Sequence, residues 1–325
     1  MPTTPPEPVV SMLWERTDAP TALRRRFGFP DGATAAAHLQ AALGRHWGLR
    51  ATTCRRMTMS DQNLLAWMDT PAGRVVVKAC AWAPLFDRLG VIGEVVTALG
   101  DQGLPVAAPV RSTAGAARAL LDGPVPLSVA VLPEVDGELL DSTDPGAVRA
   151  TGEVLARVHR AMAGLDLELP PLAGGGAVHP FAAPEAATAR TRGRAPGAAA
   201  RLDALLRDLP ELDVPAALVH GDVRGANVLV SGGRVSALLD HDSLVVGHRV
   251  QDLAAAAVKL ATRFHDWDPP PPGSRDQLLD GYRSVAALTA AEEHWLEVCV
   301  LAEGLGQIPA GPDPAGWAAA VERGL

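Results

Sequence analysis

Lysine and asparagine are almost missing from this 325-residue chain. It has two lysines, Lys78 and Lys259, and two asparagines, Asn63 and Asn227; the other 27 of its 29 basic residues are arginine. With its many Ala, Gly and Pro residues, this composition marks a bias toward GC-rich codons. The lysines and asparagines that survive such a bias are the first places to look for chemistry that arginine cannot replace. Cysteine is also scarce. Cys54, Cys80 and Cys299 are widely spaced and odd in number, so they supply neither a disulfide framework nor a zinc knuckle. An excess of basic charge is absent: 29 basic residues face 37 acidic ones, a formal net charge of −8. That excludes broad nucleic-acid binding, which needs a basic face to neutralise phosphates. No apolar run approaches the ~18–20 residues of a membrane span, and the start MPTTPPEPVV lacks the basic-then-apolar pattern of a leader. The expectation is a soluble, reduced, cytoplasmic protein with no membrane partner. Hydrophobic residues make up 48% of the chain and charged residues 20%, enough to fill one large domain or two lobes.

Residues 1–20 are Pro-rich and aperiodic, and read as a loose arm. A helical pattern covers 33–47. Short strand-like runs follow at 51–60, 64–69 and 74–82, separated by the turn signals Ser60-Asp61-Gln62-Asn63 and Thr70-Pro71-Ala72-Gly73. A helix is predicted over 83–101, then strands over 106–112 and 125–133. Beyond Pro133 the chain turns helical, beginning at Pro145. Residues 166–200 read as an irregular insertion with a short helix and the basic run Arg190, Arg192, Arg194. The pattern predicts an α+β chain of two lobes with a cleft between them: an amino-terminal lobe over 21–131, a hinge at 132–137, and a larger, mainly helical lobe over 138–325.

The chemistry concentrates in His220-Gly221-Asp222-Val223-Arg224-Gly225-Ala226-Asn227, followed by an apolar strand, a Ser231-Gly232-Gly233 turn and a second strand ending at Asp240. The hairpin returns Asp240 to Asn227, so an amide and two carboxylates share one place. Hard oxygen donors of this kind suit Mg²⁺, which takes one or two carboxylates and completes its shell with phosphate oxygens. The spacing His-x-Asp-x-x-x-x-Asn is that of a kinase catalytic loop, in which the Asp accepts a hydroxyl proton and the Asn holds metal.

Continuing through Asp240-His241-Asp242-Ser243, Gly247 and Gln251-Asp252-Leu253-Ala254, the segment resembles the aminoglycoside phosphotransferase family, a broad group of protein-kinase-like small-molecule kinases. The resemblance implies a bilobal protein-kinase-like fold and an O-phosphotransferase using ATP or GTP with Mg²⁺. In that reading Asp222 is the catalytic base, Asn227 and Asp240 hold the metal, and His220 and Asp252 support the loop. The family's usual His-Pro-Gly before the Asn is replaced here by Arg224-Gly225-Ala226, which changes the loop's local shape. In the first third, Lys78 within Val75-Val76-Val77-Lys78 matches the phosphate-holding lysine, with Glu94 as its helical partner. Asn63 falls where the family has its nucleotide-positioning loop, without that loop's glycines. Pro133 and Val135 fall in a hinge-like run ending at Gly137, where an adenine would meet backbone groups. His159 matches a family helix pattern and reads as packing or support.

The acceptor pocket is read from acidic residues of the last third: Asp242, Asp266, Asp268, Glu297 and Glu303. An acidic lining would suit a polycationic aminoglycoside, and a resistance role would follow. A metabolite kinase of homoserine, choline or sugar type is the alternative acceptor class. A catalytically inactive regulatory protein is disfavoured because Lys78, Asp222, Asn227 and Asp240 are all present. A protein kinase proper is disfavoured because too little chain separates Asp240 from Asp252 for an activation segment.

Overall fold

The computed structural model describes residues 8–174, 181–182 and 191–325, and the chain is α+β. It divides into two compact units. The first holds the chain up to Gln102, Ala107–Val135 and a stretch from Leu167. The second holds Gly103–Val106, Asp136–Asp166 and the remainder.

The first unit is built on a six-stranded sheet in the order β1-β2-β3-β4-β6-β5. Its strands are β1 (Val9–Met12), β2 (Thr53–Met59), β3 (Asn63–Thr70), β4 (Gly73–Cys80), β5 (Ala119–Leu121) and β6 (Leu127–Pro133). Two helices, α1 (Ala19–Phe27) and α2 (Gly32–Trp47), start on Asp18 and Asp31, whose carboxylates accept the backbone N–H of Thr21 and Thr34. Their apolar residues Leu23, Phe27, Leu39 and Leu43 join Val75, Val77 and Ala79 of β4 in one core. Because side chains alternate along a strand, Lys78 leaves β4 on the other face. It is paired in register with Leu65 and Ala130. The helix α3 (Phe86–Asp101) follows.

Two expectations change here. The supposed arm is ordered from β1 onward: Val9–Met12 contains no proline and adds to the sheet edge in parallel with β2. Residues 1–7 of that arm lie outside the described residues. Residues 106–112 form no strand. Pro109 removes a ladder donor, and the segment is held only by single bonds such as Val110 N–H to the Val131 carbonyl at 2.7 Å. The short strand β5 occurs instead, three residues long, below the length at which alternation is readable. In the predicted insertion, residues 175–180 and 183–190, including Arg190, lie outside the described residues. Arg192 pairs with Asp203.

The second unit carries β7 (Glu138–Leu139), α4 (Pro145–Ala163), α5 (Pro196–Arg207), β8 (Ala217–Val219), β9 (Val228–Ser231), β10 (Arg234–Leu238) and β11 (Val245–Gly247). These are followed by α6 (Arg249–Lys259), α7 (Ser274–Val285), α8 (Ala290–Gln307) and α9 (Trp317–Arg323). The β9–β10 hairpin turns on Gly232 and Gly233, both in the left-handed region, the conformation a two-residue hairpin loop requires. Helices α4 and α7 cross in backbone contact. A Cβ at Gly152 would meet the Leu278 carbonyl, and one at Gly281 the Arg149 carbonyl, so neither position accepts a side chain. Among the described residues no helix is long and apolar enough to cross a membrane.

All three cysteines are buried, and none of them is joined in a disulfide. Burial pushes the Cys54 thiol up to about 11 and that of Cys299 up to about 12. Thiolate is the reactive form, so the native protein is expected to react with fewer than one equivalent of a thiol reagent at pH 8. Unfolding in denaturant should expose three equivalents; rapid native labelling would contradict this.

Candidate active site

The loop between β8 and β9 is shaped by backbone donors pointing inward at Asp252. This carboxylate, fully buried at the start of α6, accepts from His220 N–H at 2.8 Å and from Gly221 N–H at 3.0 Å. It also takes a bond from His159 Nε2 at 2.9 Å. Burial works to raise the Asp252 carboxyl, but the His159 bond and the neighbouring donors outweigh it and hold the group below its ordinary value. The close α4–α7 crossing sets His159 Nδ1 2.9 Å from the Tyr282 hydroxyl. Arg249 lies against that hydroxyl and is clamped by both oxygens of Glu292 at 2.6 Å. Glu292 in turn completes the capping box of α8 with Thr289. A continuous polar chain, buried at Glu292, Tyr282, His159 and Asp252, thus runs from the start of α8 to the loop.

His220 locks the next step. A backbone N–H can only donate, so Asp222 N–H gives its hydrogen to His220 Nδ1 at 3.2 Å. Nε2 therefore carries the imidazole hydrogen and donates it to the Leu239 carbonyl at 2.9 Å. One side chain ties the Asp222 backbone to the end of the hairpin.

The Asp222 side chain is then fixed by two donors. Asn227 Nδ2 bonds its backbone carbonyl at 2.8 Å and its Oδ2 at 2.9 Å. Arg224 Nε bonds Oδ2 at 3.2 Å. Burial raises the Asp222 carboxyl above its ordinary value, opposed by Arg224 and reinforced by the nearby charge of Asp240. The result is a partly desolvated, oriented carboxylate suited to accept a proton. Both amide hydrogens of Asn227 point at Asp222, which turns its carbonyl oxygen away from that carboxylate. Leu239 N–H bonds the Asn227 carbonyl at 2.8 Å, so the hairpin delivers Asp240 beside Asn227. Asp240 is exposed and holds a left-handed backbone, φ 60°, a conformation that disfavours most L-residues by about 1–2 kcal/mol. An amide oxygen and a carboxylate make a hard donor pair of the kind Mg²⁺ takes together with phosphate oxygens. Among the described residues no group of three or more His, Cys, Asp or Glu forms a self-sufficient metal cage.

Lys78 is buried in the sheet. Its expected partner Glu94 is engaged elsewhere: the carboxylate pairs with Arg111 at 2.8 Å and accepts Ala117 N–H at 3.2 Å, on the half-exposed side of α3. Asn63 opens β3, and its backbone closes a tight turn with Ser60 at 2.8 Å. Pro133 ends β6 opposite Val75. Val135 is the last residue of the first unit before the chain passes to the second. Asp242 sits half-buried on the short turn after Asp240. Asp266 and Asp268 are exposed on either side of Trp267.

Of the acidic residues read as an acceptor lining, Glu303 is buried and Glu297 is half-exposed within an ion pair. Glu303 is buried against Lys259 at 3.3 Å and accepts Ala182 N–H at 2.6 Å; Glu297 pairs with Arg275. The apolar face of α8 turns Glu303 inward, and a buried carboxylate must take a partner. Sequence reasoning gave no role to Tyr282, Arg249 or Lys259. Tyr282 is the chain's single tyrosine and Lys259 one of its two lysines, so the scarcity that singled out Lys78 pointed to them as well.

A sheet-bearing unit, a helical unit and a His-x-Asp-x-x-x-x-Asn loop leading into a hairpin that ends in Asp define a kinase-like class of protein. The model of the Phosphotransferase enzyme family matches residues 61–295, and the chain belongs to that family. A homoserine kinase of Pseudomonas aeruginosa is 30% identical over 253 residues, covering 74% of this chain and 75% of that protein. A homoserine kinase of Methylobacillus glycogenes is 30% identical over 213 residues, covering 62% of this chain. The chain spans 61% of the length of that Methylobacillus relative. The fold is shared with a microcompartment-associated aminopropanol kinase, at a TM-score of 0.58 and 18% identity over 89% of this chain and 93% of that one.

Proposed function

We propose that the protein transfers the γ-phosphoryl group of ATP or GTP to a hydroxyl of a small molecule. The observation that carries this reading is the fixed, partly desolvated carboxylate of Asp222, bonded by Asn227 and Arg224, with Asp240 delivered beside Asn227 by the hairpin. Asp222 orients the acceptor hydroxyl and takes its proton as the oxygen attacks the γ-phosphorus. The bond from that phosphorus to the β–γ bridging oxygen breaks, and the nucleoside diphosphate leaves. Asn227 and Asp240 would hold Mg²⁺, which when bound screens the charge of the nucleotide phosphates. Lys78 contacts the α- and β-phosphates. Asn63 shapes the turn over them, and Pro133 and Val135 offer backbone groups to the base. His220 and Asp252 keep the loop in place. Positioning and electrostatics supply most of the acceleration in this chemistry.

For the acceptor, the relatives support a metabolite of the homoserine type over an aminoglycoside. The engagement of Glu297 and Glu303 in ion pairs removes part of the acidic lining that would favour a polycation. Asp242, Asp266 and Asp268 remain as candidates on the acceptor side.

The test is acceptor-stimulated release of ADP or GDP across hydroxylated amino acids, amino alcohols, sugars and antibiotics. Failure of every compound to raise release above background would sink the reading. Asp240→Ala is expected to weaken nucleotide binding at least tenfold in the presence of Mg²⁺ and little in EDTA, read by calorimetry. Equal affinity with and without the substitution in Mg²⁺ would remove Asp240 from the metal.

A further inference from the structure

The departure of the loop from its family's pattern places an arginine directly against the catalytic carboxylate. Arg224 has five N–H donors in a rigid fork. Its Nε hydrogen goes to Asp222 Oδ2 at 3.2 Å. Among the described residues the terminal nitrogens Nη1 and Nη2 take no acceptor. Their surroundings are set by the face of Trp267, whose ring centroid is 5.9 Å from the guanidinium carbon.

Both sides of this arrangement are anchored on one segment. The backbone after Arg224 lies on the end of α6: Ala226 N–H bonds the Thr262 carbonyl at 3.3 Å, and a Cβ on Gly225 would meet the Leu260 carbonyl at 2.5 Å. Thr262 bridges in turn to Trp267. The indole N–H of Trp267 is held by Gln307 Oε1 at 2.8 Å, and its carbonyl by the Trp317 indole N–H at 2.8 Å. Trp267 nevertheless keeps 47% of its surface exposed. A large aromatic ring fixed by both polar ends, yet left open, is a platform rather than core filling.

Resting on the phosphotransferase reading above, we propose that Arg224 is the specificity residue for the acceptor and binds a carboxylate on it. The acceptor is then a short hydroxy acid whose carboxylate is separated from the reacting hydroxyl by a few carbons. The geometry requires a short acceptor, because the donor fork begins at the base itself. A hydroxyl placed on Asp222 leaves the rest of a small molecule within reach of Nη1 and Nη2, with its methylene groups against Trp267. A fork of two parallel N–H groups fits a carboxylate in a bidentate way that an ammonium or a neutral amide does not. Lys259, whose charge also reaches Asp222, is already neutralised by Glu303 at 3.3 Å. Arg224 is therefore left to supply the contact. Asp266 and Asp268 flank Trp267 and are exposed, and a zwitterionic acceptor presents an ammonium to them. A polycation without a carboxylate gains nothing from Arg224.

The test compares L-homoserine with 3-aminopropan-1-ol, which has the same hydroxyl and amine but no carboxylate. Wild-type enzyme is expected to favour homoserine in kcat/KM by at least a hundredfold. In Arg224→Gln that preference should shrink at least thirtyfold, whatever loss the two acceptors suffer in common through Asp222. Arg224→Lys, which keeps the charge but not the fork, should fall between. Trp267→Leu should raise the KM for homoserine severalfold with kcat retained, and Mg²⁺-nucleotide affinity reports whether each variant is folded. An unchanged preference in Arg224→Gln would overturn the proposal, since Arg224 would then serve only the base or the phosphate common to both reactions. Turnover of carboxylate-free acceptors in place of homoserine overturns it while leaving the phosphotransferase reading standing. Absence of any acceptor-stimulated release overturns that reading itself.

Discussion

Asp222→Ala is expected to lower phosphotransfer by about 10³-fold or more, within the range of a lost general base, while Mg²⁺-nucleotide affinity stays within threefold of wild type. Asn227 and Asp240 keep their positions in this variant, because the hairpin bond from Leu239 to Asn227 does not involve Asp222. Turnover within tenfold of wild type would remove Asp222 from the mechanism. The pH dependence follows from the same burial. The Asp222 carboxyl is raised, so on acidification kcat/KM should begin to fall at a higher pH than an ordinary carboxylate would dictate. The stability effect has the opposite sign to that of a salt-bridged acid. A group raised in the fold contributes stability below its unfolded value, and that contribution is lost as pH rises through the folded value. At neutral pH ionised Asp222 is thus a burden on the fold, and Asp222→Asn should melt no lower than wild type. A clear drop in melting temperature would show that the carboxylate serves the structure instead.

Asp252 should behave in the reverse way. Its two oxygens face three donors: Gly221 N–H on one, His220 N–H and His159 on the other. In Asp252→Asn the new NH₂ must point at a donor whichever way the amide is turned. Leaving buried donors without acceptors costs about 2–5 kcal/mol, a large share of the ~5–15 kcal/mol that holds a domain together. Activity should fall with it, because His220 and Gly221 lead straight into Asp222. Asp252 is lowered in the fold, so its contribution is present above the unfolded carboxylate value and lost as pH falls through the folded one. Denaturant titrations should therefore show a gap between wild type and Asp252→Asn that is full at pH 7 and narrows on acidification. A gap that does not change with pH would contradict the assigned role.

Much of the site was legible because its key spacing is local. Asp222, Asn227 and Asp240 lie within one loop and one hairpin, and a Gly-Gly turn with apolar flanks fixes register without help from the rest of the chain. The strand bearing Lys78 was readable for the same reason. The partner of Lys78 was not. A helical pattern says that Glu94 lies on α3 but not which residue meets it, and the carboxylate went to Arg111 from a segment that had been read as a strand. Glu303 and Glu297 illustrate the same gap: charge in a sequence does not distinguish an open lining from an ion pair. Arg224 was visible only as a departure from a pattern, and its meaning came from the Trp267 face beside it.

The sequence by itself determined the local parts: a loop that presents one carboxylate, a hairpin that returns a second, and a composition that made every lysine and asparagine informative. Those parts depend on interactions a few residues apart, where turn geometry and alternation suffice. The tertiary structure alone decided how the carboxylates are used. His159 meets Asp252 across 93 positions of sequence and Tyr282 across 123. Such pairings are set by which helix faces pack together, and they determine which charges are buried, which are neutralised and which stay open to a substrate.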